Sequence, residues 1–357
     1  MVVVTDPRVL LTGFPGFLGS GLVERLLERG DGPVACLVEP KYYDQATRRA
    51  CELTDAVGPD GQIQLYEGDI TMTGLDIENS TEIFASIEEL YHLAAVYDLA
   101  VDAELADRVN VRGTRNVLDV AEDIDVERFH YVSTCYVSGR YDGVFTEDHL
   151  QEGQKFNNHY EESKYRAEVA VQERMAAGLP ATIYRPAIVV GDSETGETDK
   201  YDGPYYLLSL LLAQPTWGSL LFTVPGSANA ELNVVPRDFV IDAIAAIGTQ
   251  DDSVGQVYQL CDPAPLSVPA FIDAMAAAAG HRTVRLPTTK SVARRVSRWL
   301  GTYEINVEPA ALDYLDHPTR YACPNTRQAL SGTEIEVPPF ESYVDSFVEF
   351  AKADGAH

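Results

Sequence analysis

The chain is poor in lysine. Its 357 residues hold Lys41, Lys155, Lys164, Lys200, Lys290 and Lys352, and 27 basic residues face 55 acidic ones, a formal charge of −28. Such an excess of carboxylates repels phosphate backbones and anionic lipid, which excludes non-specific binding of nucleic acid or membrane surfaces. Acidic, lysine-poor surfaces suit concentrated salt, where self-repulsion is screened within a few ångströms. A halophilic cytoplasm is therefore expected, with an acidic mesophile protein as the alternative.

Other features are missing as well. The five cysteines, Cys36, Cys51, Cys135, Cys261 and Cys323, are odd in number, widely spaced and without a C-x-x-C pair. That argues against a disulfide framework or a metal site and for a reducing compartment. The longest apolar stretch, Tyr205–Ala213, is too short to span a bilayer. The first residues lack a basic region followed by a long apolar run, so no leader is expected. The reading is of a soluble, cytoplasmic protein.

What is present is an ordinary globular composition, 45% apolar and 23% charged, in a chain long enough for roughly two domains of ~150 residues. Short apolar runs alternate with amphipathic helical patterns. Strands are expected at 8–12, 33–38, 63–66, 90–94, 128–133 and 181–184, and helices at 17–29, 43–57, 102–122 and 160–177. This alternation predicts an α/β fold, a doubly wound parallel sheet of the Rossmann type with a smaller C-terminal substrate lobe. Residues 1–191 would form the dinucleotide-binding domain, with 231–235 and 256–260 returning to its sheet. Residues 192–230 and 263–357 would form the lobe.

The first strand runs into Gly13-Phe14-Pro15-Gly16-Phe17-Leu18-Gly19. Glycines at this spacing on the first β–α junction let the backbone approach a pyrophosphate and aim the helix N-terminus at its charge. Gly13, Gly16, Phe17, Leu18 and Gly19 are thus expected to hold a dinucleotide. Glu39, at the end of the second strand, is placed to accept both adenosine ribose hydroxyls and to repel a 2′-phosphate, which favours NAD. Lys41 and Arg48 lie close enough to keep NADP open. Asp69 and Ile70, closing the third strand, are placed at the adenine edge, although a plain turn aspartate fits Asp69 equally.

Tyr160 and Lys164, four residues apart, share one face of a helix. An adjacent ammonium favours phenolate and turns a phenol into a better proton shuttle. Ser133 and Thr134 end the preceding strand, at the sheet edge where ligands bind in open α/β folds. His92, inside a strand, reads as a packed core residue, and Cys135 as a small buried one.

In this order the glycine turn, Asp69-Ile70, His92–Ala95, Asn110–Thr114, Ser133-Thr134, Tyr160/Lys164, Arg185-Pro186 and Val234–Val240 resemble the extended branch of the short-chain dehydrogenase/reductase family. The resemblance implies that Tyr160 is the general acid/base, that Lys164 lowers its pKa and binds the nicotinamide ribose, and that Thr134 holds the substrate oxygen. Asn110 would organise a proton-relay water or the helix around it. Ala94, Pro186 and Ile188 would line the nicotinamide. Against the acidic background, Lys164 and Arg185, with Lys41, are expected as the cations where an anionic cofactor sits. A homodimer through helices 102–122 and 160–177 is implied too.

The substrate is a small molecule whose class is less legible. The epimerase/dehydratase branch typically shows a Gly-Asp-Gly turn and diphosphate-clamping arginines, where this chain has Val224–Leu232 with the repelling Glu231. Phe156–Tyr160 and Val235–Val240 look more like the thioester and fatty-acyl reductase side. Tyr205–Leu208, Trp217, Leu220, Leu221 and Phe222 are expected to wall an apolar pocket. The leading expectation is hydride transfer to or from an apolar carbonyl, alcohol or acyl thioester. A nucleotide-sugar epimerase and a non-catalytic dinucleotide sensor are the alternatives.

Overall fold

The computed structural model describes residues 6–58, 62–199, 201, 203–223, 230–287 and 309–353. Within these residues the strands are β1 (Val9–Thr12), β2 (Val34–Val38), β3 (Ile63–Glu67), β4 (Glu89–His92), β5 (Arg128–Val132), β6 (Gly143–Phe145) and β7 (Ala181–Pro186). They continue as β8 (Ile188–Val190), β9 (Ser219–Thr223), β10 (Val234–Pro236), β11 (Val257–Leu260), β12 (Thr283–Pro287) and β13 (Thr319–Tyr321). Seven of them form one parallel sheet in the order β11-β7-β5-β4-β1-β2-β3. The chain starts at β1 and winds outward both ways, so β1 and β4 flank the point where the direction reverses.

The central strands are apolar on both faces because both are covered. Alternate side chains point to opposite faces. Leu11, Cys36 and Tyr91 thus join one apolar cluster with Phe239 and Ile244. Leu10, Ala35 and Leu90 join the other with Val117 and Phe129. A third cluster gathers Val190, Tyr205, Leu208, Phe271, Met275, Phe340 and Phe347. No helix among the described residues is long and apolar enough to cross a membrane.

The helices Phe17–Arg29 and Tyr43–Val57 lie where the apolar period places them. Gly30, at φ 80°, and Gly58, at φ 101°, end them in conformations costly for other residues. The helix expected at 160–177 begins one residue earlier, at His159, because Asn158 caps it: its Oδ1 accepts from Glu161 N at 2.9 Å. The helix expected at 102–122 consists of Ala103–Ala106, a π-helical stretch Asp107–Gly113, and Thr114–Asp123.

Residues 257–260 return to the main sheet as its edge strand β11, as expected. Residues 231–235 do not. Ile188 N donates to Asn233 O, so the chain beyond Pro186 leaves β11 and pairs with β10 in a separate two-stranded ribbon. Glu231 makes only an isolated bridge to Ser267. Two further ribbons, β9–β12 and β6–β13, join segments far apart in sequence.

Candidate active site

A cleft of about 1060 Å³ opens at the carboxyl ends of the sheet strands and runs across the reversal between β1 and β4. The glycine turn forms one wall. A Cβ on Gly13, at φ 101°, would lie 2.9 Å from Ala94 N, and one on Gly16 would lie 2.8 Å from Gly13 O. One on Gly19 would collide with Gly13 O. Only glycine allows this tight folding of the turn on itself and on the loop after β4, and it leaves no side chain at these positions to bar a pyrophosphate. The N-terminus of helix Phe17–Arg29 has no side-chain cap, and Gly16 to Gly19 line the cleft, so the uncapped end fits an anion there. These residues fit a dinucleotide.

Glu39 lines the same cleft and pairs with Lys41, Nζ to Oε1 at 2.8 Å. Asp69 and Ile70 line it as well. Asp69 also shapes its own turn, its Oδ1 accepting from Thr71 N at 2.8 Å. Asn116 Nδ2 donates to Ile70 O at 2.8 Å, which holds that turn against helix Thr114–Asp123. Phe17, Leu18, Ala94, Pro186 and Ile188 belong to the apolar lining.

Thr134, Tyr160 and Lys164 all line the cleft. Thr134, buried, accepts from Tyr136 N at 3.3 Å and donates to Pro186 O at 3.4 Å, so its hydroxyl is held at the junction of β5 and β7. Ser133 also reaches the cleft, but its hydroxyl donates to Glu168. Lys164 donates to Val132 O at 2.8 Å and lies over the Tyr131 ring, 4.4 Å from its centroid. Burial pushes its pKa down to about 7, while Glu168 pulls it back up.

Asn110 stands behind the cleft instead of lining it. Its Oδ1 accepts from Val96 N at 2.8 Å, and its Nδ2 donates to Val96 O at 3.2 Å and to Ser163 Oγ at 2.9 Å. Ser163 Oγ in turn donates to Tyr160 O at 2.9 Å. Asn110 therefore ties the loop after β4 to the Tyr160 turn. It sits in the π-helical stretch, a deformation frequent at functional sites.

The family described as male sterility protein, an NAD-binding family, matches residues 11–244, about two thirds of the chain. The chain belongs to this family. It is thereby a member of the extended short-chain dehydrogenase/reductase family. The crystal structure of the terminal R domain from the myxalamid PKS-NRPS biosynthetic pathway is similar over 100% of this chain and 93% of that one, at 27% identity and a TM-score of 0.83. A 3-beta-hydroxysteroid dehydrogenase of Mycolicibacterium neoaurum is 28% identical over 86% of this chain and 82% of its own length. A linear gramicidin synthase of Brevibacillus parabrevis is 27% identical over 71% of this chain, and the match spans 5% of that much longer protein.

Some residues of this extended reductase lie elsewhere than the sequence suggests. Arg185 adds no charge to the cleft: it is fully buried and paired with Glu168. Trp217 and Leu220 do not wall the pocket, because the β9–β12 ribbon leaves them 80% and 46% exposed. The side chains of Leu221 and Phe222, and residues 224–229, lie outside the described residues. In the helix Pro204–Leu212, Tyr206 and Leu207 line the cleft while Tyr205 and Leu208 turn into the third cluster. His92 is packed as expected, between Thr12 Oγ1 at 2.7 Å and Thr114 Oγ1 at 3.0 Å, and burial lowers its pKa to about 3. Cys135 is buried, donating to Arg185 O.

Sequence reasoning missed most of the wall beyond Tyr160. Tyr97, Leu99, Leu105, Tyr136, Leu232, Tyr314 and Leu315 line it. Tyr97 stands edge-on to Tyr160, ring centroids 5.0 Å apart. These residues carry no family motif and come from short helical turns and loops scattered along the chain. No group of three or more His, Cys, Asp or Glu among the described residues is placed to hold a metal.

Proposed function

We propose that this extended short-chain reductase transfers hydride to, or in reverse from, an apolar carbonyl or alcohol, or reduces an acyl thioester, with Tyr160 as the acid/base. The observation that carries this reading is the common lining of one cleft. Thr134, Tyr160 and Lys164 line it together with the glycine turn and with a set of tyrosines and leucines. The cationic side chains lining the cleft, among the described residues, are Lys41, Arg108 and Lys164. That set offers no arginine cluster to clamp a sugar diphosphate.

When bound, a nicotinamide dinucleotide supplies or takes the hydride. The hydroxyls of Thr134 and Tyr160 would hold the carbonyl oxygen, and Tyr160 would give it a proton as the carbon is reduced. With a thioester this gives a thiohemiacetal; as its C–S bond breaks the hydroxyl loses its proton and the sulfur takes one up, so that a thiol leaves and the aldehyde remains. The Lys164 ammonium stabilises the phenolate left on Tyr160. An R domain and a steroid dehydrogenase among the relatives are consistent with thioester and apolar-alcohol chemistry respectively. Tyr206, Leu207, Tyr314 and Leu315 support the assignment of 192–230 and 263–357 to the substrate side. The homodimer belongs to the same proposal. Its two helical segments already lie side by side, joined by Arg166–Asp107 and Arg174–Asp119 ion pairs.

The test is NADH and NADPH consumption with acyl thioesters, apolar aldehydes and ketones, beside UDP-sugar conversion. Net cofactor consumption that Tyr160→Phe abolishes, with dinucleotide binding retained, supports the proposal. Sugar conversion without net consumption would overturn it. Turnover unchanged in Tyr160→Phe would remove Tyr160 from the mechanism.

A further inference from the structure

We propose that Tyr314, in a segment beyond the part of the chain that matches the family, is a positioning and specificity residue for the reaction at Tyr160. The inference rests on the reading of Tyr160 as acid/base, and it concerns what holds that residue and what the substrate meets beyond it.

Tyr314 is buried and lines the cleft. Its hydroxyl donates to Glu161 Oε1 at 2.6 Å and accepts from Asn158 Nδ2 at 3.0 Å. Asn158 is the residue whose Oδ1 caps the helix by accepting from Glu161 N. Glu161 also accepts from Asn157 N at 2.8 Å and Asn157 Nδ2 at 3.0 Å. The phenol of Tyr314 therefore closes a ring of hydrogen bonds around the first turn of the helix that carries Tyr160. A cap fixes where a helix starts and how its first side chains point. Here that first turn holds the proton donor.

The other side of the Tyr314 ring meets Tyr136 edge-on, centroids 4.8 Å apart and planes at 89°. Tyr136 donates its backbone N–H to Thr134 Oγ1. Tyr314 thus reaches both hydroxyl-bearing residues through one intermediary each, and it is part of the substrate wall besides. Its own position is set from below. Arg140 donates to Asp313 O and Asp316 O at 3.5 and 3.4 Å, and Thr319 Oγ1 to Tyr141 O at 2.6 Å. Both contacts lie at or just before the start of the paired strands β6 and β13.

Two variants separate the two roles. Tyr314→Phe keeps the ring and removes the hydroxyl. Amide hydrogen exchange in the first turn, residues 159–162, should speed up by roughly fivefold. kcat should fall by about tenfold or more with KM and dinucleotide affinity near wild type. Tyr314→Ala opens the wall, so the preference within a homologous aldehyde series should shift toward longer members. Unchanged exchange in Tyr314→Phe overturns the positioning role whether or not a substrate has been found. An unchanged preference profile in Tyr314→Ala, measured as turnover or as calorimetric binding of the corresponding alcohols, overturns the specificity role. Failure of the wild type to turn over any panel member strikes the proposed reaction instead, and leaves the exchange result to decide on Tyr314.

Discussion

Arg185 and Glu168 face each other with neither side chain exposed: Nη2 donates to Oε1 at 2.6 Å, and Nε reaches both oxygens at 3.0 and 3.2 Å. The pair joins β7 to the helix of Tyr160 and Lys164. Ser133 Oγ donates to the same carboxylate, and Arg185 donates to His149 O at 2.9 Å. Removing one partner of such a pair strands a buried charge, at a cost of ~3–5 kcal/mol. Glu168→Gln and Arg185→Met should each lower the unfolding free energy from urea titration by that order, and the double variant should recover part of the loss. If each single change stays within ~0.5 kcal/mol of wild type, the pair is not holding the strand end.

Lys164 makes two pH dependences of opposite sign. Its buried ammonium loses its proton at about pH 7 in the folded protein, so support for the Tyr160 phenolate fades above that pH. kcat/KM for reduction should fall by up to about tenfold per pH unit there. Stability should move the other way. Between about pH 7 and the ordinary lysine value of 10.5 the unfolded chain holds a proton that the folded one has shed, so unfolding becomes harder as pH rises. Lys164→Met should flatten this rise. A kcat/KM that is level across the interval, with a stability curve that Lys164→Met leaves unaltered, would contradict the assignment.

The dinucleotide half of the site was legible because each of its parts is local. Gly13 to Gly19 turn directly into a helix, and Tyr160 and Lys164 share a face by helical period alone. Glu39, Asp69 and Thr134 each close a recognisable strand. The substrate wall is built otherwise. Tyr314 arrives through the β6–β13 ribbon, and Tyr97 through the hold of Asn110 on Val96. Neither pairing leaves a periodic trace in the chain. Arg185 was misplaced for a related reason: a cation beside a motif suggests an anionic ligand, whereas its partner, Glu168, is one turn beyond Lys164 on the helix and buried with it. Spacing shows which residues share an element, and not which elements face one another.

Glu39 should control the choice of dinucleotide. It lines the cleft, at the position expected to meet the adenosine ribose, and holds Lys41 at 2.8 Å. While the carboxylate is present, Lys41 is engaged and a 2′-phosphate meets a negative neighbour. Glu39→Gln removes the repulsion and frees the Lys41 ammonium. The ratio of kcat/KM for NADPH to that for NADH should rise by about tenfold or more, since ~1.4 kcal/mol suffices for that factor. Adding Lys41→Ala should return most of the gain. A ratio that Glu39→Gln leaves alone would place the ribose discrimination elsewhere, with Arg48 the next residue to vary.

Salt should stabilise this protein, and the direction follows from arithmetic on its charges. With 55 acidic and 27 basic residues, pairing every cation still leaves 28 carboxylates in excess. Their mutual repulsion favours the expanded chain at low ionic strength. At about 1 M KCl the screening length shrinks to ~3 Å, and that repulsion is largely removed. Surface pairs such as Arg25–Asp242 and Arg174–Asp119 are weakened by the same screening, but exposed pairs contribute only ~0–1 kcal/mol each. The excess therefore decides the sign. Thermal unfolding followed from about 0.1 to 1 M KCl should show a rising midpoint. Chloride is the appropriate anion, because sulfate would strengthen apolar burial in any protein. A midpoint that is level or falls with KCl would mean that the acidic surface is tolerated without salt, and the expectation of a halophilic setting would fail with it.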